Sequence, residues 1–305
     1  MASFLIKRLV YGLVVLWVVT TLTFILLRLA PGGPFDRERK LPPEVLANIE
    51  AKYHLDEPLS KQYLRYLTGI LHADLGPSYK YLDRGVKEII LDTLPTSVFL
   101  GLLALVFALM VSLPTGLLAA YFRHSWIDRF ALLTATLGIS VPHFILGALL
   151  IWLFALQLGW LQAGRWDSAA SMILPMVTLG AAPAAYIAAL LRSTLIDALG
   201  EDFIRTARAK GLREGAVLFK HALRNSLVPV LTVMGPLTAA LLTGSFVVEY
   251  VFAIPGMGRF FITAVTDRDY PLIMGVTLVY TALLVAANFL VDLFYAYVDP
   301  RIRVY

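Results

Sequence analysis

Long apolar runs, each free of Asp, Glu, Lys and Arg, alternate along this chain with short polar islands. Six such runs occupy 9–27, 93–122, 130–164, 168–191, 225–248 and 270–291. About 20 helical residues cross roughly 30 Å of hydrocarbon, so each run predicts a membrane-spanning helix. The third is longer than one crossing needs, which places its Trp160 end at the interface or in a loop. Between the first two runs, residues 36–92 are polar with helical periodicity. Pro42 and Pro43 open a helix carrying Leu46, Ile49 and Tyr53; Tyr63, Tyr66, Leu67, Ile70 and Leu71 recur at the same spacing, as do Val86, Ile89 and Ile90. These predict amphipathic helices capping the bundle, or a surface that receives a partner. The pattern divides the chain into 1–29, one spanning helix; 30–93, a helical segment outside the membrane; and 94–305, a core of five further spans. The expected class is an all-α integral membrane protein.

Composition agrees, since 59% of residues are hydrophobic, 15% charged, and mean hydropathy is +0.75. A chain of 305 residues with that balance has more apolar surface than one core hides, which excludes an ordinary soluble enzyme. There is no cysteine, hence no disulfide framework and no thiolate metal site, and no metal ligands are expected. The net charge of +5 is distributed as membrane topology rather than as a nucleic-acid footprint. Thirteen Lys and Arg lie in short segments on the side of the N-terminus, among them Lys7, Arg8, Arg123, Arg129 and Arg192. The opposite short loops carry three, Arg165, Arg259 and Arg268. Positive charge stays inside, so both termini are expected in the cytoplasm. Lys7 and Arg8 before the first run imitate a signal peptide, but the run is too long for one and Pro31 follows Ala30 directly; a retained helix is expected.

The largest polar island between two spans, about 193–227, contains seven basic residues, counting His221, and three acidic ones between Glu201 and Arg224. Acids open its first helix, about Glu201 to Lys210, and Arg208 and Lys210 close it, matching the helix dipole at both ends. Gly211 stands where a helix stops in the left-handed conformation. A second helix, about Arg213 to Arg224, puts Val217, Leu218 and His221 on one side.

This island resembles the EAA loop of permeases in binding-protein-dependent ABC importers. Aligned on Gly211, the Glu-Ala-Ala positions fall on Arg205, Thr206 and Ala207, so only the last alanine and the glycine agree with the general motif. The run Phe203-Ile204-Arg205-Thr206-Ala207-Arg208-Ala209-Lys210-Gly211-Leu212, followed by His221-Ala222-Leu223-Arg224-Asn225, is similar to the peptide and nickel branch. Leu29 to Phe35, Leu41 to Val45 and Ala47 to Leu55 narrow the likeness to the B-type permease subunit of oligopeptide importers. The loop Glu249 to Arg259, the turn Asp267-Arg268-Asp269-Tyr270-Pro271, and Asn288, Asp292, Tyr295 and Asp299 to Arg303 continue it to the end of the chain.

The resemblance implies a six-helix type I importer domain in the bacterial inner membrane, with a periplasmic segment after the first helix. It implies as partners a paralogous second permease, two ABC ATPases, a periplasmic or extracellular peptide-binding protein and membrane lipid, with no nucleic acid. ATP and Mg would be held by the ATPases and no cofactor by this chain. Docking on the ATPase would fall to Phe203, Arg205, Thr206, Ala207, Arg208, Ala209, Lys210, Gly211, Leu212 and Arg213. The binding protein would meet Arg165, Glu249, Pro255, Gly256, Arg259, Arg268 and Asp269.

Absences in the residues point the same way. No G-x-x-x-x-G-K-[ST] loop is present, so the chain lacks that means of cradling phosphates. No Asp, Glu, Lys or Arg falls deep in a run, where an ion-coupled carrier keeps them. The chain is therefore expected to be non-catalytic, its energy supplied by another subunit. His143 beside Pro142 is either a pore or substrate contact or the filler of a helix kink. An intramembrane enzyme would need a partner for His143 that the runs do not supply. Gly180 to Ala185, Pro229, Gly235, Pro236 and Gly244-Ser245 serve close helix packing or line a path. Asp292 is expected to pair with a basic residue of a neighbouring loop. Importers of dipeptide, nickel or glutathione, and a self-sufficient secondary carrier, remain alternatives.

Overall fold

The computed structural model describes residues 2–35 and 43–298. The chain order is α1 (Ala2–Leu29), α2 (Pro43–Lys52), α3 (Leu59–Leu71), α4 (Val86–Tyr121), α5 (Trp126–Ser140) and α6 (His143–Leu150), which continues as a π-helical segment, Ile151–Gln157. Then follow α7 (Ala169–Gly200), α8 (Asp202–Ala209), α9 (Glu214–Ala216), a second π-helical segment Val217–Ala222, α10 (Leu223–Leu242), α11 (Phe246–Val251), α12 (Met257–Asp267) and α13 (Tyr270–Val298). Among the described residues no strand forms. The motif residues Leu41, Pro42 and Asp299 to Arg303, and the side chains of Leu46, Asp292 and Tyr295, lie outside the described set.

Contacts group the chain into two units, Met1–Thr96 with Pro255–Val285, and Ser97–Ile254 with Ala286–Tyr305. In the first, α1 is apolar all round and leaves Leu9, Trp17 and Leu26 exposed, as a helix whose solvent is lipid does. Its outer turns receive α3, where Tyr63 meets Phe24 edge-on at 5.1 Å and its hydroxyl lies 2.6 Å from Thr21 Oγ1. Phe35, Tyr53 and Tyr79 pack ring to ring at 4.7 to 5.9 Å, fixing α2 against the loop before α4. Asp269 ties that loop to the start of α13: its buried carboxylate accepts from the Ser78 hydroxyl and from the N–H of Tyr79 (3.2 Å), Lys80 (3.4 Å) and Leu272 (3.3 Å). Val86, Ile89 and Ile90 are not a separate amphipathic helix. They are the buried first turns of α4, which begins seven residues before the charge-free run because Lys87, Glu88 and Asp92 interrupt the apolar count and not the helix.

In the second unit the third apolar run departs from the expected single helix. Pro142 lacks an N–H and disfavours helical backbone at the residue before it, so Val141 is extended (φ −82°, ψ 120°) and the chain bends by 109° between α5 and the helix that follows. Side chains along the two pieces and just beyond them meet α7 in reverse chain order. Asp128 pairs with Arg192 near the last turns of α7, His143 bonds Thr178 midway, and Gln162 bonds Ser168, the cap of its first turn. The 32 residues of α7 span about 48 Å at about 1.5 Å per residue, and the bent pair, read as one broken crossing, packs along it. Among the described residues five helices are each long and apolar enough to cross a membrane, and the count is six when the bent pair is taken as one span. Gly180 explains how closely α7 approaches α4, since a Cβ there would stand 2.7 Å from both Ala104 O and Phe107 Cδ1.

Candidate functional site

The polar island folds as a two-faced turn. Its first helix, α8, is nearly as the spacing predicts, with Asp202 in the first turn and Arg208 in the last. Ile204 and Ala207, three residues apart, share one face. Both are buried, Ala207 only 5% exposed, in a cluster with Ala120, Leu195, Val217, Leu218 and Ala222. The other face, Phe203, Arg205, Thr206, Arg208, Ala209 and Lys210, is exposed. Of the ten residues expected to dock, Ala207 thus seats the helix and has no surface to offer.

Gly211 turns the chain at φ +76°, a conformation costly for any residue with a Cβ. Arg208 clasps that turn from one side to the other, donating from Nε to Glu214 Oε1 at 2.8 Å and from Nη2 to Oε2 at 3.2 Å. Arg205 bonds Asp202 at 3.2 Å. Lys210 and Arg213 are exposed and, among the described residues, have no ion-pair partner. Leu212 is exposed beside them.

The expected second helix is not independent: α9, the π-helical segment and α10 follow without a break, so the island is joined rigidly to the fifth span. Val217 and Leu218 do share a buried side, with His221 at its edge. That leaves Phe219 pointing away, 61% exposed, a large apolar residue at the loop surface that the sequence reading passed over. The buried set was its signal, since whatever follows Val217-Leu218 in a helical turn must face out.

The loop is anchored from below by a second pair. Arg192 donates from Nη2 to Asp128 Oδ2 at 2.8 Å and from Nε to Oδ1 at 2.5 Å, while His124 N–H caps the same carboxylate at 2.9 Å. Two parallel bonds fix direction as well as distance, so the first turn of α5 is locked to the last turns of α7.

His143 occupies the bend of the broken crossing. Its Nδ1 donates to Thr178 O at 3.1 Å, because a carbonyl can only accept, which leaves Nε2 as acceptor in the neutral ring. The carbonyl belongs to the neighbouring helix α7 and not to the kink itself. With Tyr186, Pro183, Leu237 and Ser245, His143 lines a cavity of about 430 Å³. Gly244 (φ +76°) ends α10 there and Ser245 caps α11, so these two residues both break a helix and border the cavity.

Among the residues expected to meet a binding protein, Arg165, Pro255 and Arg259 are exposed. Glu249, Gly256 and Asp269 are buried, the two acids fully, and present no surface. Arg268 is half-buried, its guanidinium donating to Gly33 O at 3.2 Å. Among the described residues no group of three His, Cys, Asp or Glu is placed to hold a metal ion.

Two family profiles match the chain. Residues 112–304 match the binding-protein-dependent transport system inner membrane component, and residues 1–101 match the N-terminal membrane component of such systems. An oligopeptide transport system permease protein, OppB, of Haemophilus influenzae is 45% identical over 99% of this chain and 100% of its own length. A dipeptide transport system permease protein, DppB, of Bacillus subtilis is 46% identical over 100% of this chain and 99% of its own. Among solved structures, an amino acid ABC transporter has TM-score 0.54 at 19% identity, covering 68% of this chain and 94% of that one. At that identity the likeness is one of fold.

Proposed function

Because the chain belongs to the family of inner membrane components of binding-protein-dependent transport systems, we propose that it is the pore-forming permease subunit of an ATP-driven oligopeptide importer. The observation that carries the mechanism is the two-faced α8: one face is seated in the membrane bundle through Ile204 and Ala207, the other presents Arg205, Arg208, Lys210 and Phe203 outward. An ATPase subunit docks on that outer face in the cytoplasm, where both termini also lie. Closure of an ATPase pair on ATP then pushes α8, and the unbroken run from Glu214 into α10 carries the displacement into the membrane. The Asp128–Arg192 lock passes it to the broken crossing, whose bend borders the His143 cavity. His143 and Tyr186 are the candidate substrate contacts there.

The assembly is two related but unlike permeases, two ATPases that hold ATP and Mg, and a binding protein that delivers peptide outside. Arg165 in the second unit, and Pro255 and Arg259 in the first, are each exposed and are separate candidate contacts for that protein. A dipeptide substrate is a second reading, favoured by the Bacillus relative's 46% identity. The test is peptide uptake by cells depleted of ATP while membrane potential is held. Arrest of uptake is expected; continued uptake would identify a self-sufficient carrier. A ladder of peptides from two to six residues in the same assay separates the two substrate readings.

A further inference from the structure

A second cavity, of about 320 Å³, lies wholly within the first unit and is lined by Phe24, Arg28, Lys52, Tyr66, Tyr79 and Tyr270, among others. It is roomy enough for about ten waters at about 30 Å³ each. Two of its lining side chains hold buried donors with no acceptor among the described residues, Arg28 Nη1 and the Tyr66 hydroxyl. Buried polar groups are nearly always paired, so each orphan asks for an explanation.

Arg28 is held in place by everything except Nη1. Its Nη2 donates to Gln62 Oε1 at 2.9 Å, Nε reaches the same oxygen at 3.3 Å, and its guanidinium lies 3.6 Å over the Phe24 ring. Gln62 in turn is fixed by bonds from Nε2 to Leu55 O and Glu57 O. The lining adds Lys52, His54 and Arg65 to the basic side, the last paired with Glu57, and Asp74 as its acid, already accepting from Gly76 N–H. Glu57 Oε2 is also buried and unpaired, but Glu57 is not among the lining residues. Burial raises the Tyr66 phenol well above its ordinary pKa, so it stays a donor.

Among the described residues, this surplus of fixed donors, basic side chains and aromatic walls lacks a matching acceptor. We propose that this cavity binds an oxyanion, the carboxylate of a small solute or the phosphate of a lipid headgroup, between Arg28 and Tyr66. Arg28 Nη1 supplies the charge-assisted bonds, Tyr66 a second donor, and the rings of Phe24, Tyr79 and Tyr270 enclose the body of the ligand. The site is independent of the His143 cavity and of the peptide-import reading.

The test uses the full chain in nanodiscs of zwitterionic lipid, with trialanine, trialanine amide and, separately, phosphatidylglycerol as probes. A solute site is shown by a saturable rise in unfolding temperature with trialanine and none with the amide. A lipid site is shown by phosphatidylglycerol that stays bound in native mass spectrometry. In either arm Arg28→Gln weakens binding about tenfold or more and Tyr66→Phe by several-fold. Tyr66→Phe guards against misfolding of the first variant, since it only removes an unpaired hydroxyl. Neither probe binding the wild type, or equal binding by wild type and both folded variants, overturns the proposal.

Discussion

The loop around Gly211 and the turn around Asp269 are both short, charged and set at helix ends, yet they use charge in opposite ways. The loop buries Ile204 and Ala207 and holds its cations outside. The turn buries the carboxylate itself, because three backbone N–H groups and the Ser78 hydroxyl converge on it. A charge with several fixed donors is a structural tie, whereas a charge lacking them is left to solvent. The same contrast separates Asp128, gripped by Arg192 and His124 N–H, from exposed Lys210.

The comparison can be broken at either end. Asp269→Ala leaves several donors unpaired and is expected to cost about 3 kcal/mol or more, read as a large fall in the unfolding midpoint and faster proteolysis at 77–85. An unchanged midpoint would place Asp269 with the free surface charges. Asp128→Ala strands the Arg192 guanidinium and is expected to cost about 3 kcal/mol, with part recovered when Arg192→Leu is added; a double-mutant cycle in detergent measures it. Gly180→Val forces α7 from α4 and costs about 1–3 kcal/mol through overpacking. The smallest effect on stability belongs to Arg208→Ala, whose exposed pair contributes little. Its midpoint should match wild type while ATPase retention falls, and a stability loss without loss of retention would make the Arg208–Glu214 clasp purely structural.

Much of this was legible because local rules decide it. The acid-to-base order along α8 and the glycine after it need no distant partner, whereas the burial of Ala207, expected to dock, depends on Ala120, Leu195 and Val217. A kink at Pro142 was legible in the proline, but its size of 109° was not, since composition measures solvent and not direction. The start of α4 was displaced for the converse reason, charges ending the apolar count inside a helix. The burial of Asp269 was beyond reach because its acceptor role depends on Tyr79, 190 residues earlier in the chain. Phe219 was missed because attention to the buried side of its turn left the opposite side unread.

The central claim is that the exposed face of α8, shaped by Gly211, holds an ATPase. We would tag the C-terminus, extract the chain from native membranes in mild detergent, and identify what remains bound, for wild type and Gly211→Asp. The account predicts a related permease and two ATPases with the wild type, and the permease alone with the variant. ATPases retained in full by a folded Gly211→Asp chain, or absent from the wild type, would contradict it.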